Sequence, residues 1–422
     1  MSRENQKTLQ VYEKYYRAYL EGEAKREKAR PGKTKKEARF VDEGFKSLPR
    51  PTRILEIGSG SGLIAKALSS LGYLVTPSDA VEGFLQEMRK NGLQPIKYNV
   101  LTDEGARKYD GVLAWRVFVH FTREDLEMAL AKILELLRPG GRLVLSVQDG
   151  NAGGEWVDYG GDYQMGAKRF FQYYAEENLR ELVEQAGFRV VILKAHKSNA
   201  GIKWLYLVAE KPLGVRPELQ EYIEAEILPR YRTMVGHHEN HIRAVMARSL
   251  NFAEQINREG KQPIDYDMCY IVAAFHDLGR AVDPDTHEKI SAKLLLEDKK
   301  LPEYFTKDQL KIMAEAVEDH RASAKHEPRG IYGRIVASAD RDNDAHFMVK
   351  KAFKIFSELF PDSTEEENLE RARVCLLEKY SVSGYAATKI YFDDPDFKDS
   401  LKEIQKLVTN LDEFREVATG GF

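Results

Sequence analysis

The sequence predicts two folds in succession, a doubly wound α/β domain over residues 1–212 and an all-α domain over residues 213–422. Three observations predict it. From residue 53 onward, short apolar strands alternate with helix-length amphipathic segments, the pattern of a parallel sheet with crossover helices. After "PLGVRP" (Pro212–Pro217), a linker-like stretch, the strand signal nearly vanishes and helical periodicity runs on. A chain of 422 residues also exceeds what one ordinary core supports.

The elements follow in order. Residues 1–50 read as a charged helical extension. Within it "GEAKREKARPGKTKKEARF" is basic around Pro31 and Gly32, a solvated helix and loop or a lid over a pocket. "RILEIG" is a buried strand and Leu63–Leu71 a helix; "YLVTPSD" is a second strand and Val81–Asn91 a second helix. "PIKYNVL" is a third strand, "YDGVLAWRVFVHF" opens with a fourth, and Glu124–Leu137 is a helix. "GGRLVLSVQD" is a fifth strand. "AEENLRELVEQAGF" is a helix with Leu179, Leu182 and Val183 inward, and "RVVILKAHK" and "KWLYLVAEK" close as a strand pair. The aromatic run "RFFQYY" is read as core, or as the wall of an acceptor pocket.

Composition narrows the class. A net charge of −3 gives no polyanion-binding balance, so neither nucleic acid nor a membrane surface is an expected partner. Two cysteines, Cys269 and Cys375, lie in apolar helical patterns. They exclude a disulfide framework and a cysteine-rich zinc site and fit a reducing cytoplasm. The polar start "MSRENQKTLQ" does not read as a signal peptide, and no apolar run reaches transmembrane length.

"EIGSGSG" (Glu56–Gly62) follows a strand and opens a helix. Gly58, Gly60 and Gly62 allow a sharp turn and close approach of a ligand, and the helix start offers free N–H groups. The third glycine of a dinucleotide fingerprint is replaced by Leu63. Glu56 would repel a pyrophosphate but suits an ammonium group. Asp79, at the end of the second strand, can accept hydrogen bonds from a ribose diol. The backbone at Val100 and Leu101 can frame an adenine. A nucleoside with an amino-acid tail, S-adenosylmethionine, meets all these demands. Residues 10–210 resemble a class I S-adenosylmethionine-dependent methyltransferase: the E-x-G-x-G-x-G loop, Asp79, "LLRPGGRLVLS" and "FFQYYAEENLRELVEQAGF" carry the likeness. The resemblance implies a Rossmann-like fold and places the acceptor near the ends of strands four and five. Arg116, His120 and Asp149 are the candidates there, with Arg116 as a substrate binder. His120 is a candidate general base or a satisfied connection histidine, and methyl transfer from a sulfonium needs chiefly alignment.

In the second half, "YDMCYIVAAFHDLG" sets Met268, Ile271, Val272 and Phe275 at helical spacing, with Gly279 as a C-cap. His276 and Asp277 therefore emerge at a core-facing helix end, where burial is costly unless a cation binds them. Further histidines fall on inward positions. His241 lies one turn before Val245, His287 begins "HEKISAKLL", and His320 falls on the stripe with Met313, Ala316 and Val317. Asp340 ends "GRIVASAD". His237, His238 and His326 have weaker claims.

Residues 235–345 resemble the HD superfamily of metal-dependent phosphohydrolases, carried by "HIRAV", "AAFHDLG" and "ASADRD". The resemblance makes His241, His276, Asp277 and Asp340 the metal ligands. His287 and His320 resemble the additional histidines of two-metal members. Arg321 stands where a second histidine of the cyclic-dinucleotide phosphodiesterases would be. The expected ion is manganese, iron, zinc, cobalt or nickel, one or two of them. Such an ion lowers the pKa of bound water, with Asp277 joining ligation to catalysis. Arg280, Lys289, Arg321 and Arg329 are candidate phosphate binders, and "SVSGYAATKIYF" reads as a loop over the pocket.

The whole reads as a bifunctional cytoplasmic enzyme. It joins methyl transfer to a small molecule with hydrolysis of a phosphate ester or nucleotide. The alternative is a single-activity enzyme whose other domain binds a ligand to regulate it.

Overall fold

The computed structural model describes all residues except 106, 159–166, 199–200, 233, 235–237, 261 and 421–422. The chain divides into two compact units, Met1–Pro212 and Leu213–Phe422.

In the first unit the strands are β1 (Arg53–Ile57), β2 (Leu74–Asp79), β3 (Ile96–Lys97), β4 (Tyr109–Trp115), β5 (Leu137–Asp149), β6 (Gly153–Val157), β7 (Arg169–Tyr174), β8 (Arg189–Lys197) and β9 (Lys203–Glu210). The helices are α1 (Arg3–Ala29), α2 (Lys33–Phe45), α3 (Leu63–Ser69), α4 (Glu82–Lys90), α5 (Arg123–Leu136) and α6 (Glu176–Gln185). The order β3-β2-β1-β4-β5 is parallel throughout, the doubly wound arrangement. Its central strands are buried on both faces, as crossover helices require. Beyond β5 the sheet becomes mixed. Arg142–Gln148 of β5 pair antiparallel with β9, which carries β8. Gln148 and Asp149 also meet β7 in parallel, and β7 carries β6 as a hairpin partner.

Two expectations change here. "RFFQYY" is strand β7, and its alternation puts Arg169 and Phe171 on one face, both lining the cavity with the guanidinium 5.5 Å from the Phe171 ring. The third strand is only two residues long. Beyond it Asn99 forms a tight turn, accepting from Thr102 and Asp103 N–H through its carbonyl and from Leu101 N–H through its side chain. That turn carries Val100 into the core beside Tyr98 and Val119.

The second unit is helical throughout its described residues. Six helices, α7 (Pro217–Tyr222), α8 (Glu239–Glu259), α9 (Tyr266–Phe275), α10 (His287–Leu296), α11 (Lys307–Glu318) and α12 (Ile331–Ala339), share one core. Helices α13 (Ala345–Leu359), α14 (Glu365–Tyr380), α15 (Pro395–Leu407) and α16 (Leu411–Thr419) pack around a second. Helix α9 is the axis of the first core. Asp265 caps it by accepting from Asp267 and Met268 N–H, and every residue from Met268 to Phe275 is buried. A helix apolar on all sides must lie inside a bundle, so His276 and Asp277, which follow it, surface in the interior.

Gly279 is not a left-handed cap. It is absent from the glycines with positive φ and lies in a short 3-10 turn, Leu278–Ala281. Its role is close approach: a Cβ there would lie 2.4 Å from the His287 carbonyl oxygen, and its N–H donates to Ser291 Oγ at 2.8 Å. This clamps the start of α10 beneath His276 and Asp277. The segment "SVSGYAATKIYF" packs partly on the bundle, with Phe392 5.1 Å from Phe252. Among the described residues no helix is long and apolar enough to cross a membrane.

Candidate functional site

The first unit holds a cavity at the carboxyl ends of β1, β2, β4 and β5, where open α/β sheets bind ligands. Its floor is the glycine-rich loop. Gly58, Gly60 and Gly62 all take positive φ (66°, 56° and 79°), and a Cβ on Gly58 would meet Val117 Cγ2 at 2.6 Å. Gly58, Ser59 and Gly60 line the cavity, while Gly62 sets the entry of α3.

Glu56 and Asp79 both face the cavity, 3% and 6% exposed. Asp79 Oδ2 accepts from Gly60 N–H and Oδ1 from Val81 N–H, each at 2.9 Å. Burial lifts its carboxyl to about 6 against those bonds. Burial lifts Glu56 to about 8; Ser59 opposes the rise and the Asp79 charge adds to it. Glu56 Oε2 has no hydrogen-bond partner among the described residues. A buried carboxyl with one oxygen left unbonded at the cavity suits a ligand bearing an ammonium group. The cradle therefore fits S-adenosylmethionine.

Val100 and Leu101 are not among the lining residues, because the Asn99 turn removes them. Val81 and Phe84 on one side and Val119 and Phe121 on another supply the apolar wall. Asp149 is likewise outside the lining, whereas Gln148 is in it.

The N-terminal helices are part of this site. Asn5, Thr8, Tyr12 and Tyr19 of α1, and Lys33, Thr34 and Glu37 at the start of α2, all line the cavity. Within the basic stretch 22–40, Glu23, Arg26, Glu27, Lys33, Thr34 and Glu37 line the cavity, a placement closer to the lid reading than to the solvated-loop one. Helix α1 is tied down by Asn5 Nδ2 donating to the His120 carbonyl at 3.3 Å and by Phe170 N–H donating to Thr8 Oγ1 at 3.1 Å. Arg116 sits at the end of β4 with φ 61°, an uncommon conformation for a residue with a side chain. Its Nη2 donates to Glu37 Oε1 at 2.5 Å, and its guanidinium lies 4.8 Å from the Trp204 ring.

His120 is buried with both ring nitrogens engaged. Nδ1 donates to the Phe170 carbonyl at 2.7 Å, which leaves Nε2 as the acceptor for the Tyr12 hydroxyl at 2.8 Å. Burial pushes its pKa down to about 3, the Phe170 carbonyl opposing and the Arg169 charge assisting. Sequence reasoning missed Tyr12, Arg169 and Glu37, none of which stands within a motif.

In the second unit, four donors from two helix ends and one helix start converge. Donor atoms of His241, His276, Asp277 and Asp340 lie within 4.8 Å of one another, as do those of Asp277, His287 and His320. Asp277 belongs to both groups and divides its oxygens between them. Oδ2 lies 3.4 Å from His276 Nε2 and 4.0 Å from His241 Nε2. Oδ1 lies 3.2 Å from His287 Nε2 and 3.5 Å from His320 Nε2. Asp340 Oδ1 completes the first group, 3.0 Å from His241 Nε2 and 3.6 Å from His276 Nε2.

The ring orientations follow from local backbone. Nδ1 of His276, His287 and His320 each faces the carbonyl three residues earlier, at 2.7, 2.7 and 2.6 Å. A carbonyl only accepts, so Nδ1 carries the hydrogen and Nε2 turns its lone pair to the centre, as in metal-ligating histidines. His320 stands just past the end of α11 rather than on its stripe, which lets its ring turn inward.

The charge balance points the same way. Burial opposes a charge on His276, but Asp277 and Asp340 outweigh it and push its pKa up to about 10. Asp340 is held well below the usual carboxylate range by His241 and His276 despite its burial. His241 is pushed down by burial and by the charge of Lys351. The pocket demands positive charge. Donors around a first-row metal ion stand about 3 to 4 Å from one another, so the spacing, the mixed nitrogen and oxygen set and the tautomers all fit divalent ions.

The candidate phosphate binders are distributed unevenly. Arg280 Nε is 3.5 Å from Asp277 Oδ1. Lys289 is exposed. Arg321 is held by the Asp285 carbonyl and Glu288, and Arg329 by Asp319 and Glu318. Sequence spacing could not foresee these ion pairs. Lys351, which sequence reasoning missed, lies 3.1 Å from Asp342 and acts on His241. His238 is the exposed residue preceding α8 and His326 is exposed; His237 lies outside the described residues.

Residues 23–193 match the family model described as a methyltransferase domain, and residues 239–343 match the one described as an HD domain. The ubiquinone biosynthesis O-methyltransferase of Dinoroseobacter shibae is 30% identical over 191 residues, 42% of this chain and 73% of that protein. The protein of the same description from Ruegeria pomeroyi is 29% identical over 192 residues, 42% of this chain and 74% of that protein. Among solved structures, the 1,6-didemethyltoxoflavin-N1-methyltransferase of Burkholderia thailandensis is 21% identical. It aligns with 50% of this chain and 92% of its own at a TM-score of 0.39.

Proposed function

Because the chain belongs to the class I S-adenosylmethionine-dependent methyltransferases in its first unit and carries an HD-superfamily domain in its second, we infer that it is a bifunctional enzyme. The first unit methylates a small molecule. The second hydrolyses a phosphate ester or nucleotide. The observation that carries the second half is the division of one buried carboxylate, Asp277, between two histidine groups.

In the first unit Glu56 receives the ammonium and Asp79 the ribose diol, both from rigid strand ends. The α1 and α2 side chains exclude water from the reacting centre, so that alignment rather than bulk solvent governs transfer. The acceptor occupies the end of the cavity bounded by Arg116, Gln148, Arg169 and Trp204.

In the second unit His241, His276, Asp277 and Asp340 would hold one divalent ion, and Asp277, His287 and His320 a second. Such ions acidify water and neutralise phosphate oxygens. The side chains of this chain do the rest. Asp277 fixes the spacing of the two groups, the three Nδ1 anchors hold the rings, and Arg280, whose Nε lies 3.5 Å from Asp277, is the cation placed to meet phosphate oxygens. Arg321 and Arg329, engaged elsewhere, hold the surrounding loops together. Among the candidate ions the histidine-rich set favours a transition metal over magnesium or calcium.

The test measures both chemistries in the full chain. Wild type binds S-adenosylhomocysteine by calorimetry and releases phosphate from a panel of nucleotides and phosphate monoesters in the presence of manganese. Glu56→Gln abolishes only the first and Asp277→Ala only the second. Loss of both from either single variant would favour the reading in which one unit regulates the other.

A further inference from the structure

Where the end of β4 meets the helical extension, the methyltransferase cavity is short of negative charge. Arg116 Nη2 donates to Glu37 Oε1 at 2.5 Å, and Lys33 Nζ lies 3.7 Å from the same oxygen, so two cations share one carboxylate. Glu23, Arg26 and Glu27 stand with them in the lining. Glu27 accepts from the Thr34 hydroxyl at 2.8 Å. Burial disfavours the charged form of Glu23. Three cations therefore face Glu27 and Glu37. Lys33 registers the surplus: burial above all, with the Arg116 and Arg26 charges, holds its ammonium below the ordinary value against the pull of Glu37.

Hydrogen-bond donors are in surplus as well. Arg116 Nε and the neighbouring Trp115 Nε1 are both buried without a hydrogen-bond partner among the described residues, and both residues line the cavity. A buried N–H group without an acceptor is costly, so an acceptor is the missing part. The Arg116 side chain is 29% exposed, which leaves it open to a ligand in the cavity. Its guanidinium lies 4.8 Å from the Trp204 ring centre and 5.7 Å from that of Trp115. The backbone holds it there at a φ of 61°, with its N–H donating to Ser146 Oγ at 3.0 Å. A side-chain-bearing residue keeps that conformation only where its surroundings impose it.

We propose that the methyl acceptor is an aromatic carboxylic acid whose carboxylate binds Arg116 and the Trp115 N–H. This rests on the methyltransferase reading above and names the class of acceptor. A carboxylate supplies the missing negative charge and one oxygen for each of the two unmet donors. Its bond to a guanidinium is charge-assisted and so among the stronger ones available. Trp204 covers a face of the guanidinium and leaves its edge, which pairs with a planar carboxylate. Phe84, Trp115, Phe171 and Trp204 all line the cavity, and such walls suit a flat ring. The carboxylate anchors the acceptor and takes no part in the transfer. Glu37 has two effects: it holds the guanidinium in place, and it competes with the acceptor for the same charge.

The test is calorimetric. The full chain is saturated with S-adenosylhomocysteine and titrated with benzoate and 2-naphthoate, each beside its uncharged amide, and with phenyl phosphate. Wild type is expected to bind at least one carboxylate about tenfold or more tighter than its amide. Arg116→Gln keeps a polar chain without the charge. It should bring each carboxylate within about twofold of its amide, with S-adenosylhomocysteine affinity within about threefold of wild type. Glu37→Gln keeps the shape and removes the competing charge, and should tighten carboxylate binding by about threefold or more. The two variants move affinity in opposite directions, which a loss of folding cannot do. Amides binding wild type as tightly as the carboxylates would overturn the proposal, as would a carboxylate preference that survives Arg116→Gln. Phenyl phosphate binding more tightly than both carboxylates would also overturn it and assign the anchor to a phosphate. Failure to bind S-adenosylhomocysteine would instead overturn the methyltransferase reading beneath it.

Discussion

Nε2 of His287 and Nε2 of His320 lie 3.2 Å apart, each with its Nδ1 committed to a backbone carbonyl. Two lone pairs at that distance repel unless a proton or a cation stands with them. Asp277 Oδ1, 3.2 and 3.5 Å from them, supplies a third donor. The expected consequence is a second ion that depends on this pair alone. His320→Ala should lower metal content from about two ions per chain to about one, read by elemental mass spectrometry, because the four donors of the other group are untouched. Unchanged stoichiometry would show that the pair is structural.

The same site depends on a glycine. A Cβ on Gly279 would stand 2.4 Å from the His287 carbonyl oxygen and 2.9 Å from Ser291 N, both backbone atoms that cannot swing aside. Gly279→Ala should displace the start of α10, cost about 1–3 kcal/mol in a urea titration, and lose the ion held by His287. A variant with native metal content and stability would contradict the clamp.

Glu56 gives a pH signature to the other unit. Burial raises its carboxyl from 4.5 to about 8, so at neutral pH the resting group is largely protonated. A raised acid contributes to stability fully below its ordinary value. That contribution is lost as pH climbs from about 4.5 toward about 8. An ammonium bound beside it reverses the preference and expels the proton. Binding of S-adenosylmethionine near pH 7 should release up to about one proton, measured by calorimetry in buffers of different ionisation enthalpy. The release should shrink above pH 8 and vanish in Glu56→Gln. Equal release in that variant would remove Glu56 from the ammonium site.

Arg329 was expected to hold phosphate and instead bonds Asp319, whose side chain is wholly buried. Arg329→Ala should destabilise the fold by about 1–3 kcal/mol, since it strips partners from a buried carboxylate. Its KM for a phosphate substrate should stay within about twofold of wild type. A selective rise in KM without loss of stability would restore the binding role.

Much of this was legible in the sequence because the informative residues sit beside strong local signals. The glycine-rich loop follows a buried strand, and His276-Asp277 follows a helix apolar on every side. His241, His287 and Asp340 each stand at a helix terminus beside an apolar stripe, whereas His320 lies past the end of α11, where periodicity no longer gives direction. What escaped was set by tertiary contacts. Tyr12 and Arg169 meet across 157 residues of sequence, and neither lies in a motif. The turn at Asn99 that carries Val100 and Leu101 away from the cavity depends on a strand ending after two residues, a boundary that propensity does not fix. The partners of Arg321 and Arg329 are ion pairs between neighbouring loops, which spacing alone cannot encode.

The most direct measurement of the central claim is the metal content of purified full chain beside Asp277→Ala. One carboxylate serving both histidine groups requires that wild type retain up to about two first-row ions per chain and the variant almost none, with S-adenosylhomocysteine binding intact in both. Equal metal in the two proteins would contradict it.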